Sequence, residues 1–159
     1  MNTILLAVDD TKGSLQVVET LKNLLGGCSD CSCMPEYIVL LYVQKPEGRS
    51  VMGDLLLSTS EMETLTEPLQ GTEYQAQLDE KAEIVLNYFK DLLEKQGFSG
   101  IKPLSLQGHP AEEILKTSKE EKAEMIVMGS RGKRLHNLWM GSISREVANN
   151  AEMAVLIAR

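Results

Sequence analysis

The sequence predicts a single doubly wound α/β domain, a five-stranded parallel sheet with helices on both faces. Three observations carry that prediction. Short, nearly continuous apolar runs alternate with stretches of helical spacing in the order β-α-β-α-β-α-β-α-β, which implies a sheet buried on both sides. The 159 residues suffice for one such domain, and no internal repeat, low-complexity tract or linker divides them. The hydrophobic fraction of 43% is ordinary for a chain that buries its own core.

Each element has its own signal. Thr3 to Val8 is a compact apolar run that ends in Asp9-Asp10, the first strand. Leu15, Val18, Leu21 and Leu25 then recur at helical spacing, and Gly26-Gly27 stops the helix. Tyr37 to Val43 is a continuous β-prone run, the second strand. Residues 44–71 are polar and loosely patterned, a length usual for functional lids and inserts; Met52 to Leu57 fit a short helical turn within them. Leu78, Ala82, Val85, Phe89 and Leu92 mark a long amphipathic helix stopped at Gly97, and Ile101 to Leu106 form the third strand. Gly108-His109-Pro110 opens the next helix, with proline suited to its first turn and Ala111, Ile114 and Leu115 on one face. Met125 to Met128 form the fourth strand, Ile143 to Asn150 a helix, and Met153 to Ala158 the fifth strand.

Charge and composition exclude several functions. A net charge of −7 opposes a broad attraction to nucleic acid or anionic membrane. No apolar run approaches the roughly 20 residues a membrane span needs. The start, MNTILLAVDD, lacks the basic region of a signal peptide, so a cytoplasmic protein is expected. Cys28, Cys31 and Cys33 crowd together with no second CxxC to complete a four-ligand site, which favours reduced loop cysteines over a metal centre.

Met125 to Ser144 carries the strongest functional signal. The fourth strand empties into Gly129-Ser130-Arg131-Gly132, passes a basic loop and reaches Gly141-Ser142 at a helix start. Glycines suit close backbone approach or φ > 0, and a helix N-terminus offers free N–H groups to an anion. Arg131, Lys133 and Arg134, with His136 just beyond, stand out against the acidic background. A solvated basic turn would explain the charges alone; the flanking glycines favour a phosphate cradle. A side chain at Gly132 or Gly141 is expected both to obstruct the approach and to penalise φ > 0.

In doubly wound sheets ligands bind beyond the carboxyl ends of the strands, where the strand order reverses. A reversal between the first and fourth strands would join Asp9 to the glycine loop. Asp9 could then accept from a base amino group or a ribose hydroxyl, although aspartate equally favours plain turns and caps. Met128, beside the loop, suits either a base pocket or the core.

Other chemistries lack their signatures. GxxxxGK[ST] is absent, as is GxGxxG after the first strand. A phospho-receiver would need an acceptor aspartate after the third strand, where this chain has Leu106-Gln107-Gly108. No GxSxG elbow accompanies His109 or His136, so no catalytic residue is assigned.

The motifs Ala7-Val8-Asp9, Leu41-Tyr42-Val43, Gly108-His109-Pro110 and Met128-Gly129-Ser130-Arg131-Gly132…Gly141-Ser142 resemble the universal stress protein family along nearly the whole chain. The resemblance implies a strand order of 3-2-1-4-5. It implies that Asp9 and Val43 flank an adenine, that Met128 and Gly129 meet base and ribose, and that Gly132, Gly141, Ser142 and the N–H of Ile143 hold phosphates. Arg131, Lys133 and Arg134 are further candidates there. The family's ATP-binding branch carries Gly-x2-Gly-x9-Gly-[Ser/Thr]. Here eight residues, Lys133 to Met140, separate the inner glycines, one fewer than that pattern. The implied cofactor is therefore ATP, or AMP or ADP, with Mg²⁺ as a possible companion. The implied function is a regulatory, stress-response module; the alternatives are a partner-binding protein without nucleotide and a slow ATPase. Pairing through the fifth strand, Met153 to Ile157, would make a homodimer, which suits a short apolar edge.

Overall fold

The computed structural model describes residues 2–25, 34–45, 73–130 and 140–159. The strands are β1 (Thr3–Val8), β2 (Tyr37–Gln44), β3 (Ile101–Gln107), β4 (Met125–Gly129) and β5 (Ala154–Ala158). The helices are α1 (Lys12–Leu25), α2 (Glu73–Lys95), α3 (Pro110–Glu120) and α4 (Ser142–Asn150). The strands make one all-parallel sheet in the order β3-β2-β1-β4-β5. From β1 the chain steps outward to β2 and β3, then returns to the other side of β1 for β4 and β5. The reversal therefore falls between β1 and β4, as the resemblance implied.

Alternation along the strands divides the core in two. Ile4, Leu6, Ile38, Leu40 and Val127 pack under α1 and α2. Leu5, Val39, Leu41, Ile126 and Met128 face α3 and α4 on the other side. With both faces covered, the central strands must be apolar at every position, which is why they read as uninterrupted runs. At edge strand β3 the requirement lapses, and Lys102 and Pro103 are exposed there.

Helix ends follow local chemistry. α2 closes in a Schellman motif: Phe98 N–H donates to the Leu93 carbonyl at 3.1 Å and Gly97 N–H to Glu94 at 2.9 Å, with Gly97 at φ +88°. Phe98 and Leu93 both enter the core, adding the motif's usual apolar contact.

Several details differ from the sequence reading. β2, β3 and β4 each extend one residue further, to Gln44, Gln107 and Gly129, and β5 starts at Ala154 rather than Met153. In α1 the buried positions are Ser14, Val17, Val18, Leu21 and Leu25, while Leu15 is 39% exposed. In α2 the fully buried row is Ala82, Leu86, Phe89 and Leu93; Leu78, Val85 and Leu92 lie at its margin. The short helical turn expected at Met52 to Leu57 and the three cysteines fall outside the described residues.

Candidate functional site

Strand register brings the candidate residues to one edge. Ala7 lies beside Leu41 on one side and Met128 on the other. Two residues further along, Asp9 and Ser130 have just left β1 and β4, level with Val43 near the end of β2. The carboxyl ends of β2, β1 and β4 thus form one row, with the strand reversal inside it.

Asp9 is held by the turn into α1. Its Oδ1 accepts from the Thr11 N–H at 3.0 Å, from the Thr11 hydroxyl and from Ser14 Oγ at 2.6 Å. Ser14 Oγ in turn accepts from the Asp9 N–H at 2.8 Å. This is an Asx-type turn closed by a buried serine, so the plain turn role weighed for Asp9 is real. It occupies one carboxylate oxygen; Oδ2 accepts from no described residue. The side chain is half-buried at the carboxyl edge of the sheet.

Met128 is 5% exposed and belongs to the core beneath α3 and α4, so its backbone rather than its thioether faces the edge. Val43 packs against the same core while staying half-buried. Gly129 has a packing reason of its own. A Cβ there would lie 3.1 Å from both the carbonyl carbon and oxygen of Gly13, so β4 and α1 meet backbone to backbone.

The base of the glycine loop is tied shut. Gly141 N–H donates to the Ser130 carbonyl at 2.7 Å, and buried Ser144 Oγ donates to the same carbonyl at 3.2 Å. Ser130 N–H donates to Ala158 at 2.8 Å, linking this knot to β5. The Gly141 amide is therefore engaged within the protein. Gly141 has φ −67° and ψ 161°, ordinary extended backbone, so the expectation of φ > 0 there is corrected. The amides of Ser142 and Ile143, in the first turn of α4, donate to no described acceptor, and no side chain caps that end. Among the described residues they are the open N–H groups at that end of the helix. Arg131, Gly132, Lys133, Arg134 and His136 lie outside the described residues.

The model of the universal stress protein family matches residues 1–159. The chain belongs to the universal stress protein family. It is 29% identical over 127 residues to universal stress protein MJ0577 of Methanocaldococcus jannaschii, covering 78% of this chain and 77% of that one. The solved structure of MJ0577 superposes with a TM-score of 0.74 at 25% identity, over 99% of this chain and 94% of the other. A universal stress protein solved in complex with cAMP has a TM-score of 0.63 at 18% identity, covering 99% of this chain and 97% of its own. One from Archaeoglobus fulgidus, solved with dAMP, has a TM-score of 0.60 at 17% identity, covering 100% and 98%.

In this universal stress protein, sequence reasoning missed Gln44. It ends β2 with a buried side chain bonded to β3 and α2. His109 precedes Pro110 at the start of α3. It stands at the N-cap position, exposed, with no side-chain cap bond. Among the described residues no group of three His, Cys, Asp or Glu could hold a metal ion. No described helix is long and apolar enough to cross a membrane.

Proposed function

We propose that this universal stress protein binds an adenine nucleotide at the carboxyl edge of β1, β2 and β4 and acts as a cytoplasmic regulatory module. The observation that carries the reading is the alignment of Asp9 and Val43 with the Met128-Gly129-Ser130 backbone across the strand reversal. Asp9 Oδ2 is an acceptor for a ribose hydroxyl or a base amino group. Val43 supplies an apolar wall, and the Ser142 and Ile143 amides are donors for phosphate. A single exposed helix N-terminus contributes only about 0.3–1 kcal/mol per anion, so Arg131, Gly132, Lys133 and Arg134 have to add contacts for tight binding. The relatives solved with cAMP and dAMP support adenine as the base. Both those ligands carry one phosphate, so AMP and ADP stand beside ATP as candidates. No candidate residue is an evident general base, and any hydrolysis is expected to be slow.

Native mass spectrometry of freshly purified protein tests for carried nucleotide. Calorimetry of ligand-free protein with ATP, ADP and AMP, each with and without Mg²⁺, then ranks the ligands. Asp9→Asn keeps an Oδ1 acceptor for Thr11 and Ser14 while replacing Oδ2 with an amide. It should fold normally and bind adenine nucleotides more weakly. No heat with any of the three nucleotides would transfer the proposal to a partner-binding protein of the same fold.

A further inference from the structure

A second set of polar contacts stands one residue away from the nucleotide-facing positions. Gln44 follows Val43 and points to the opposite, α2 side of the sheet, with its side chain buried. Its amide nitrogen donates to Asp79 Oδ1 and to Ser105 Oγ, both at 3.0 Å. Its amide oxygen accepts from Gln75 Nε2 at 3.3 Å and Gln107 Nε2 at 3.4 Å. Gln75 also donates to Asp79 Oδ1 at 2.9 Å. A carboxamide has two N–H donors and two lone pairs, so the capacity of Gln44 is filled. Asp79 can only accept, which sets the direction in which the amide faces.

The same helix also reaches the end of β1. Lys81 Nζ lies 2.9 Å from Asp10 Oδ2, the residue after Asp9. Between them, Gln75, Asp79 and Lys81 tie the first half of α2 to Gln44 at the end of β2 and to Asp10 after β1, and Gln44 in turn joins Ser105 and Gln107 of β3. Packing alone does not call for this arrangement. Leu40 and Tyr42, on the same face of β2, fill the α2 interface with apolar and aromatic bulk. A directional network that is fully satisfied instead holds its members to one geometry.

We propose that Gln44, Asp79 and Lys81 are positioning residues, a clamp from α2 that sets the spacing of Asp9 and Val43 for the adenosine half of a nucleotide. The proposal rests on the nucleotide reading above. The clamp touches no ligand; it acts through Val43 and through the Asp9-Asp10 turn. Phosphate contacts arise from β4 and α4, across β1 from the clamp, and are independent of it.

Gln44→Leu and Lys81→Met test this against the parent protein, titrated with ATP and, by competition, with inorganic tripolyphosphate. ATP affinity should fall roughly tenfold in Gln44→Leu, about the weight of one hydrogen bond to a charged group, while tripolyphosphate affinity holds. Lys81→Met should show the same selectivity with a smaller loss, because its ion pair is partly solvated. A purely structural role would lower both affinities together or neither, and either result overturns the clamp. Hydrogen exchange on ligand-free protein gives a reading that needs no nucleotide. The Gly108 amide, which donates to the Gln44 carbonyl at 3.2 Å, should exchange faster in Gln44→Leu. Unchanged exchange there overturns the clamp as well. Failure of the parent protein to bind ATP, ADP or AMP would overturn the nucleotide reading itself, and is seen before any variant is made. Should Gln44→Leu not fold, Lys81→Met on the surface carries the comparison.

Discussion

The Gly141 N–H donates to the Ser130 carbonyl at 2.7 Å, so the connection from β4 to α4 is closed at its base by its own two ends. Ser144 reinforces the closure by donating to Ser130 and, at 3.2 Å, to the Gly141 carbonyl. The start of α4 is thereby tied to the end of β4, which orients the Ser142 and Ile143 amides. Donors that need no reordering on binding lose little conformational entropy when a ligand arrives.

Gly141 separates approach from fold. At φ −67° it lies where any residue is comfortable, so Gly141→Ala should leave stability within about 1 kcal/mol, the usual penalty for alanine at an N-cap. Thermal unfolding checks that half. If calorimetry on the same variant shows weaker ATP binding, the glycine serves the ligand. Unchanged affinity would remove Gly141 from the phosphate site.

Gly129 should behave in the opposite way. An added Cβ meets the Gly13 backbone at 3.1 Å, and backbone cannot swing aside as a side-chain tip can. Gly129→Ala is expected to cost about 1–3 kcal/mol, the range for overpacking a tight interior contact. Urea unfolding should show a lower midpoint with an unchanged slope. A midpoint equal to the parent's would mean that α1 and β4 yield more easily than their backbone contact implies.

These two glycines illustrate what the sequence could convey. Both stood out as signals, yet spacing alone could not tell a glycine required by packing from one that faces a crevice. β1 and β2 were legible because burial on both faces leaves unbroken apolar runs. The α1 stripe was read one position out at its start, since the Asp9–Ser14 contacts draw Ser14 inward and turn Leu15 outward. Leu86 and Leu93 were passed over because α2 carries a broad apolar face whose centre the spacing does not fix. Gln44 was invisible for a different reason: a polar residue at the end of a strand looks like the start of a loop. Its burial depends on Ser105 and Asp79, far along the chain. Asp9 was the reverse case, since both its turn role and its place at the carboxyl edge of the sheet follow from its position after β1.

Lys122 holds the left-handed position that ends α3. The Ala123 N–H reaches Ser118 at 2.8 Å and the Lys122 N–H reaches Lys119 at 3.2 Å, a Schellman motif with lysine where glycine is usual. Its φ of +52° costs an L-residue roughly 1–2 kcal/mol, and the side chain is exposed. Lys122→Gly should relieve most of that strain, less the entropy of freeing the unfolded chain, for a net gain of about 0.5–1 kcal/mol. For a domain of this size the melting temperature should rise by about 1–4 °C. A lower melting temperature would show that the lysine contributes more than its backbone strain takes away.

The two sheet edges differ in a way that bears on assembly. β3 displays Lys102 and Pro103, and Lys102 pairs with Glu121 at 2.6 Å; a charge and a missing N–H both discourage another strand. β5 reads Ala-Val-Leu-Ile-Ala with no charge or proline, and Val155, Leu156 and Ile157 are only partly covered. An apolar edge left unguarded beside a guarded one is what a pairing surface requires. We propose a homodimer joined through β5, with Met153 beside it, about a two-fold axis, the commonest closed symmetry. Val155→Lys places a charge in the middle of that edge. It should yield a folded monomer where light scattering finds the parent protein dimeric across the micromolar range. Circular dichroism would verify that the variant keeps its secondary structure. If the parent protein is itself monomeric under those conditions, the edge is not a dimer interface and the proposal fails. If it is dimeric and Val155→Lys leaves it so, the chains pair through another surface.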